Sequence, residues 1–99
     1  MTPSAFKRSL AGSMPPARLS PALTALWWAG KDGWDQAHKI AMSDEGAACA
    51  WVHAYLHRVE GDLENARYWY HQAGRSPPSD SPTAEWARIA DALIGSESR

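Results

Sequence analysis

Apolar residues recur along this chain at the spacing of an α-helix. Near the C-terminal end, Trp86, Ile89, Ala90 and Leu93 stand at positions i, i+3, i+4 and i+7, so they fall on one helix face. Four earlier segments repeat this spacing, and nowhere do four residues alternate cleanly as a half-buried strand requires. The pattern predicts an all-α fold of four to five short antiparallel helices.

Capping signals divide the chain into these helices. Candidate helix starts are Ser20, Asp32 or Gly33, Ser43, Asp62 and Ser81. Proline follows both Ser20 and Ser81, and proline suits the first position of a helix. Glycines predict the helix ends, at Gly30, Gly61, Gly74 and Gly95. We therefore expect one helical domain over residues 20–95 and a disordered tail at 96–99.

The apolar residues are unusual in kind. Leu, Ile, Val and Phe together number 13 of 99, whereas the chain carries 6 Trp, 3 Tyr and 18 Ala. So few aliphatic residues would by themselves indicate disorder. Large rings opposite small methyl groups, however, suit closely packed helices. The composition therefore favours a stack of helices held together by aromatic rings.

Charge is distributed unevenly between the two ends. Residues 1–31 carry four basic residues and no acid (+4), whereas residues 32–99 carry six basic and eleven acidic residues (−5). An acid-free segment with Ser and Arg is compatible with an organelle transit peptide. Several prolines interrupt it, which favours a flexible basic lead-in over residues 1–19. A short, weakly docked helix with Phe6, Leu10 and Met14 on one face is the remaining alternative.

Several function classes are excluded or disfavoured. Ninety-nine residues make one domain, too short for a two-domain dehydrogenase or a barrel enzyme. A net charge of −1 with interleaved acids and bases disfavours nucleic acid as a partner. No apolar run is long enough to span a membrane. The single Cys49 permits no internal disulfide, so we expect a reducing, cytoplasmic location.

A short pattern occurs twice, 29 residues apart. Residues 32–37 and 61–66 each contain a Gly/Asp turn, a large apolar residue, an acid, an amide and an alanine. The turn ends one helix, and the alanine lets the next helix approach closely, so each unit predicts an αα-hairpin.

The second copy continues with Tyr70, Ala73 and Pro77. In this form it resembles the second half of a tetratricopeptide repeat (TPR), and the first half matches loosely at Trp51 and Ala54. The resemblance covers roughly residues 20–77 and implies TPR-like αα-hairpins. Residues 51–70 also resemble a family of small uncharacterised bacterial proteins, a resemblance that implies no activity.

The residues best suited to chemistry form a stripe on the third predicted helix. Cys49, His53, His57 and Glu60 are spaced i, i+4, i+8 and i+11, so they share one side. Two histidines one turn apart can reach a single metal ion, and Glu60 could be a third ligand or a base. The alternative is a polar face that meets solvent or a neighbouring helix. We read Cys49 as a buried small apolar residue, and His38 as a core or boundary histidine.

Consecutive aromatic residues indicate a possible contact surface. Neighbours on a helix point about 100° apart, so not every ring of Trp27-Trp28 and Tyr68-Trp69-Tyr70 can face the core. Trp28 and Tyr68 are expected to face outward, with Arg67 beside Tyr68 suited to a peptide or flat ligand. On the last helix, Glu85 and Arg88 at i+3 are predicted to form a surface ion pair.

These observations favour a non-enzymatic protein- or peptide-binding helical module. The predicted binding residues are His53, His57, Glu60, Trp28, Arg67 and Tyr68. A short helical stack buries little surface, so a homodimer is plausible. We predict no catalytic residue, cofactor or metal. The alternative function is a small metal- or ligand-dependent enzyme that uses His53, His57 and Glu60.

Overall fold

The computed structural model describes residues 1–97 and confirms the all-α class. Six α-helices occupy these residues, with one short 3-10 helix at Ser9–Ala11 and no strand among residues 1–97. The α-helices are α1 (Pro3–Arg8), α2 (Pro21–Gly30), α3 (Trp34–Ala41), α4 (Ala47–Glu60), α5 (Leu63–Gln72) and α6 (Pro82–Glu97). No helix in this part of the chain is long and apolar enough to cross a membrane.

Several of the predicted capping signals are confirmed, among them Gly33 as the N-cap of α3 and Ser81, whose hydroxyl accepts from the N–H of Ala84. The Ser20 hydroxyl accepts a hydrogen bond from the backbone N–H of Leu23, and Pro21 is the first residue of α2. The Asp62 carboxylate caps α5 in the same way. Gly61 ends α4 with φ at +90°, in the left-handed region where a side chain would be strained. These local signals set the helix boundaries.

Other predicted boundaries are wrong. Gly46, not Ser43, is the N-cap of α4, because the Ser43 hydroxyl instead donates to the carbonyl of Ile40 at the end of α3. Gly95 does not end the last helix, which continues to Glu97. Ser96 and Glu97 of the expected tail are therefore helical, and residues 98–99 lie outside the described residues.

Residues 1–19 contain a docked helix. Phe6 of α1 is fully buried and stacks on Trp86 of α6, with ring centroids 5.5 Å apart. The Ser9 hydroxyl accepts a hydrogen bond from the Trp27 indole N–H at 3.0 Å. Burial of the Phe6 ring thus holds residues 3–11 against the domain. This agrees with the alternative prediction of a short docked helix.

Aromatic rings and small residues fill the core as the composition predicts. Trp27, Trp51 and Trp86 are buried, together with many of the alanines. Gly30 lies under Trp86, where an added Cβ would come within 3.0 Å of the indole. The absence of a side chain there lets α2 and α6 pack closely.

Helix α4 is the centre of the domain. Its nine residues from Cys49 to His57 are all buried, because α2, α3, α5 and α6 pack against it. Cys49, His53 and His57 of the predicted stripe therefore do not face solvent, whereas Glu60 at the end of α4 is exposed. His53 contacts α3 and α5, and His57 contacts α3.

Candidate functional site

Three imidazoles meet beside α4. His53 and His57 come from successive turns of α4, and His38 reaches them from α3. One ring nitrogen of each lies within 4.8 Å of the other two, and the Nε2 atoms of His38 and His53 are 3.0 Å apart. We name these three residues the His cluster.

The local sequence explains why His38 arrives there. Trp34 precedes it by one helical turn, and the Trp34 indole N–H donates to the carbonyl of Leu56 on α4 at 2.7 Å. This hydrogen bond fixes the start of α3 against α4. The Trp34 ring then stacks on His38, with centroids 4.6 Å apart and planes 13° apart.

A second indole supports the opposite side of the cluster. Trp69 of α5 stacks on His53, with centroids 3.9 Å apart and planes 16° apart. The His38 and His53 rings thus lie between two tryptophans, and meet each other edge to face. Such packing limits the orientations that the imidazoles can adopt.

Glu60 determines which nitrogen of His57 is free. Its carboxylate lies 2.5 Å from His57 Nδ1. An ionised carboxylate only accepts hydrogen bonds, so a proton lies on Nδ1 of His57 in this contact, and Nε2 is left for another partner. His57 is 5% exposed, and its Nε2 is the one buried side-chain nitrogen or oxygen in residues 1–97 without a hydrogen-bond partner.

Burial keeps His38 and His53 uncharged. It lowers the pKa of His53 to about 4, helped by the nearby His38 and His57 rings. The pKa of His38 is also lowered, mainly by burial and then by His57. Both rings are therefore neutral at pH 7, the form in which imidazole binds metals.

The His cluster forms part of the wall of a cavity of about 710 Å³. The cavity lies between the α3–α4 connection and α5, and all three imidazoles line it. Exposed Asp44 and Glu45 stand on the connection side, and Asn65, Tyr68 and Gln72 on the α5 side. Two buried imidazoles and one half-buried imidazole therefore line a space large enough for a small molecule.

The structure brings together four of the six predicted binding residues. His53, His57 and Tyr68 line the cavity, and Glu60 joins through His57. Tyr68 is 55% exposed, as expected. The other two lie elsewhere: half-buried Trp28 covers the α2–α3 turn at Gly33, and Arg67 lines a different surface pocket.

Sequence reasoning did not assign His38 to the site. Its place on the apolar stripe of α3, one turn after Trp34, indicated only a core or boundary position. The residue that completes the cluster depends on how α3 packs against α4, and the spacing within one helix carries no information about that.

Cys49, the first residue of the predicted stripe, is buried near the start of α4. Burial raises the pKa of its thiol to about 11, with smaller contributions from Asp44 and Glu97. A thiol of this kind is a poor nucleophile at neutral pH. Its environment agrees with the interpretation as a small apolar residue.

A second buried polar group was also missed, and the predicted surface pair of Glu85 and Arg88 is wrong. Glu85 is fully buried, and its carboxylate contacts the Arg58 guanidinium of α4 at 2.9 Å. Arg88 instead pairs with Asp80. A signal was present, because Glu85 precedes Ile89 and Leu93 by one and two turns, which places it on the buried face of α6.

No protein-family model, curated protein or solved structure matches this chain. The TPR-like repeat therefore stays a prediction. Consecutive helices do pack in pairs, α2 with α3 and α4 with α5. Any functional conclusion depends on the geometry of the His cluster and its cavity.

Proposed function

We propose that this protein is a metal-binding helical module that holds one divalent transition-metal ion on His38, His53 and His57. The observation that carries the proposal is the unpartnered Nε2 of His57. A buried polar atom without a partner costs about 1–3 kcal/mol. Coordination to a metal would satisfy this lone pair, and imidazole nitrogen is a preferred ligand of Zn²⁺, Cu²⁺ and Ni²⁺.

The distances support a shared ion. Zinc–nitrogen bonds are about 2.0–2.1 Å long, so two ligands of a tetrahedral ion stand about 3.3 Å apart. His38 and His53 already have their Nε2 atoms 3.0 Å apart, and all three ligand atoms fall within 4.8 Å of one another. The separation between His38 and His53 is therefore already close to the one that a shared ion requires.

Glu60 acts in this proposal as a positioning residue. Metal-binding histidines commonly donate their other N–H to a carboxylate, which fixes the tautomer and makes the ligand nitrogen more basic. The 2.5 Å contact between Glu60 and His57 Nδ1 has this form. The sequence suggested Glu60 as a possible third ligand, whereas the geometry favours His38 for that place.

A partner-binding function has narrower support. It rests on Tyr68, whose exposed ring stands at the cavity beside Trp69. Trp28 and Arg67, the other residues expected to contact a peptide, do not line this cavity. The metal proposal uses three converging side chains and is therefore better supported than a peptide site.

Zinc titration of the untagged, metal-stripped protein tests the proposal. Calorimetry should show one Zn²⁺ bound per chain, and zinc at 100 times its dissociation constant should stabilise the fold by about 2.7 kcal/mol. The melting temperature should rise by roughly 4–8 °C per kcal/mol.

His38→Ala and His57→Ala should each remove this stabilisation, since each leaves two ligands. His71→Ala is the matched control, because His71 is an exposed histidine on α5 outside the cluster. Its zinc affinity should equal that of the parent protein. Equal affinities in the parent and both cluster variants, or no stoichiometric binding, would contradict the proposal.

A further inference from the structure

The His cluster provides three ligands for one ion. Among residues 1–97, no fourth His, Cys, Asp or Glu places a ligand atom within 4.8 Å of all three imidazoles. Structural zinc sites take four protein ligands, whereas sites with three protein ligands leave one position for another molecule. On this count, an ion on the His cluster keeps one coordination position for a ligand from outside the chain.

The open position borders the cavity of about 710 Å³. All three imidazoles line this cavity, so an ion held between them is reached through it. The volume is in the range of cavities that bind small molecules. Aromatic ring nitrogens of the imidazole type are preferred donors to Zn²⁺, Cu²⁺ and Ni²⁺. A small molecule with such a nitrogen is therefore a suitable fourth ligand.

The wall opposite the cluster offers an aromatic surface. The Tyr68 ring lines the cavity and is 55% exposed. Trp69 meets it edge to face, with centroids 5.2 Å apart, and stacks its own ring on His53. Tyr68 thus keeps ring surface for a planar ligand, and aromatic rings pack favourably against one another. Asn65 and Gln72 on the same wall carry amides that donate and accept hydrogen bonds.

The charges around the ion favour a neutral ligand. A divalent ion brings two positive charges, and Asp44 and Glu45 of the cavity wall bring one negative charge each. Glu60, which contacts His57 from outside the cavity lining, adds a third negative charge. No Lys or Arg of residues 1–97 lines the cavity. The loaded site therefore has no net positive charge to attract an anion.

We infer that the cavity binds a small, neutral aromatic nitrogen heterocycle, whose nitrogen takes the open position of the ion and whose ring lies against Tyr68. This inference rests on the proposed metal binding. It combines three features of one cavity: the donor count of the His cluster, the exposed Tyr68 ring and the charge of the lining.

Cobalt(II) in place of zinc tests the open position, because its visible absorption reports the ligands around the ion. Imidazole and, separately, benzimidazole are titrated into the untagged, cobalt-loaded protein. Each should change the spectrum saturably, with one molecule bound per chain and a constant cobalt content of the protein. A spectral change that accompanies loss of cobalt from the protein would count against the inference.

Two substitutions test the contact with Tyr68. Tyr68→Ala removes the ring, and the dissociation constant of benzimidazole should rise about two- to tenfold, the usual contribution of an aromatic pair. Tyr68→Phe is the matched control, since it keeps the ring, and should bind benzimidazole as the parent protein does. The side chain is largely exposed, so both variants should keep the fold. Equal benzimidazole affinities in Tyr68→Ala and the parent would contradict the proposed ligand class.

Azide, an anionic nitrogen donor, tests the role of charge. Its affinity should rise in Glu45→Gln, whereas the affinity of imidazole should stay the same. Equal azide affinities in this variant and the parent would contradict the preference for a neutral ligand. Bound cobalt whose spectrum neither heterocycle changes would overturn the inference and leave the metal function standing. Failure to bind metal would overturn both.

Discussion

Two buried polar clusters share helix α4, and they differ in how completely they are paired. The His cluster lies between α3, α4 and α5. The second, which we name the Glu85 cluster, joins Glu85 of α6 to Arg58, Tyr70 and Trp51. The Glu85 carboxylate accepts from the Tyr70 hydroxyl at 2.7 Å, from the Trp51 indole N–H at 3.2 Å and from Arg58 at 2.9 Å.

The difference separates a structural role from a ligand-binding one. Both oxygens of Glu85 are hydrogen-bonded to neighbouring side chains, so neither oxygen is left without a partner. Arg58 also bonds the carbonyl of Asp80 and so ties the connection before α6 to α4. His57, equally deep, keeps one nitrogen unpaired. Buried polar groups that have hydrogen-bond partners stabilise the fold, whereas a buried nitrogen without a partner indicates a role other than stability.

The largest expected effect comes from breaking the Glu85 cluster. Glu85→Gln removes the charge that Arg58 faces while keeping the size of the side chain. Loss of one partner from a buried ion pair costs up to about 3–5 kcal/mol. Arg58 would keep only its longer contact with the Asp80 carboxylate, at 3.8 Å. Denaturant unfolding of the metal-free protein measures this loss.

Arg88→Gln is the matched control for that substitution. It breaks the partly exposed pair between Arg88 and Asp80, and exposed ion pairs contribute little to stability. If Glu85→Gln lowers the free energy of unfolding no more than Arg88→Gln does, the carboxylate does not hold α6 to α4.

The two clusters should also lose stability at opposite ends of the pH scale. The pKa of His53 is lowered to about 4, so between pH 6.5 and 4 the unfolded chain binds a proton that the folded chain does not. The free energy of unfolding should therefore fall by on the order of 2 kcal/mol across this window. Burial and the Glu85 hydrogen bond raise the pKa of Tyr70, so stability should be lost as pH rises above about 10.

Two variants test which cluster causes the loss of stability at each end of the pH range. His53→Phe keeps a flat ring against Trp69 and should reduce the loss of stability at acid pH. Tyr70→Phe should reduce the loss of stability at alkaline pH. Equilibrium unfolding of metal-free protein at a series of pH values gives both slopes. Unchanged slopes in both variants would mean that other groups control the profile.

The sequence predicted the helices better than it predicted either cluster. Helical spacing and caps such as Ser20 and Asp62 act within a few residues, so they are readable along the chain. The spacing of His53 and His57 is equally local. The partners that complete each cluster are distant: His38 lies 15 residues before His53, and Glu85 lies 27 residues after Arg58. Helix packing decides those pairs, and the spacing of residues along one chain gives no sign of it.

The substitution with the smallest expected effect on stability, His57→Leu, gives the most direct comparison of the two clusters. His57→Leu removes the unpaired Nε2 and keeps the site filled, while partly exposed Glu60 turns to solvent. Loss of the bond to Glu60 is offset by relief of the buried lone pair, so metal-free stability should change by less than about 1 kcal/mol. Denaturant unfolding with and without zinc checks this result, and the zinc-dependent part should vanish. A loss of stability as large as that of Glu85→Gln would mean that the His cluster holds the fold together as the Glu85 cluster does. The unpaired Nε2 of His57 would then no longer indicate a bound ligand.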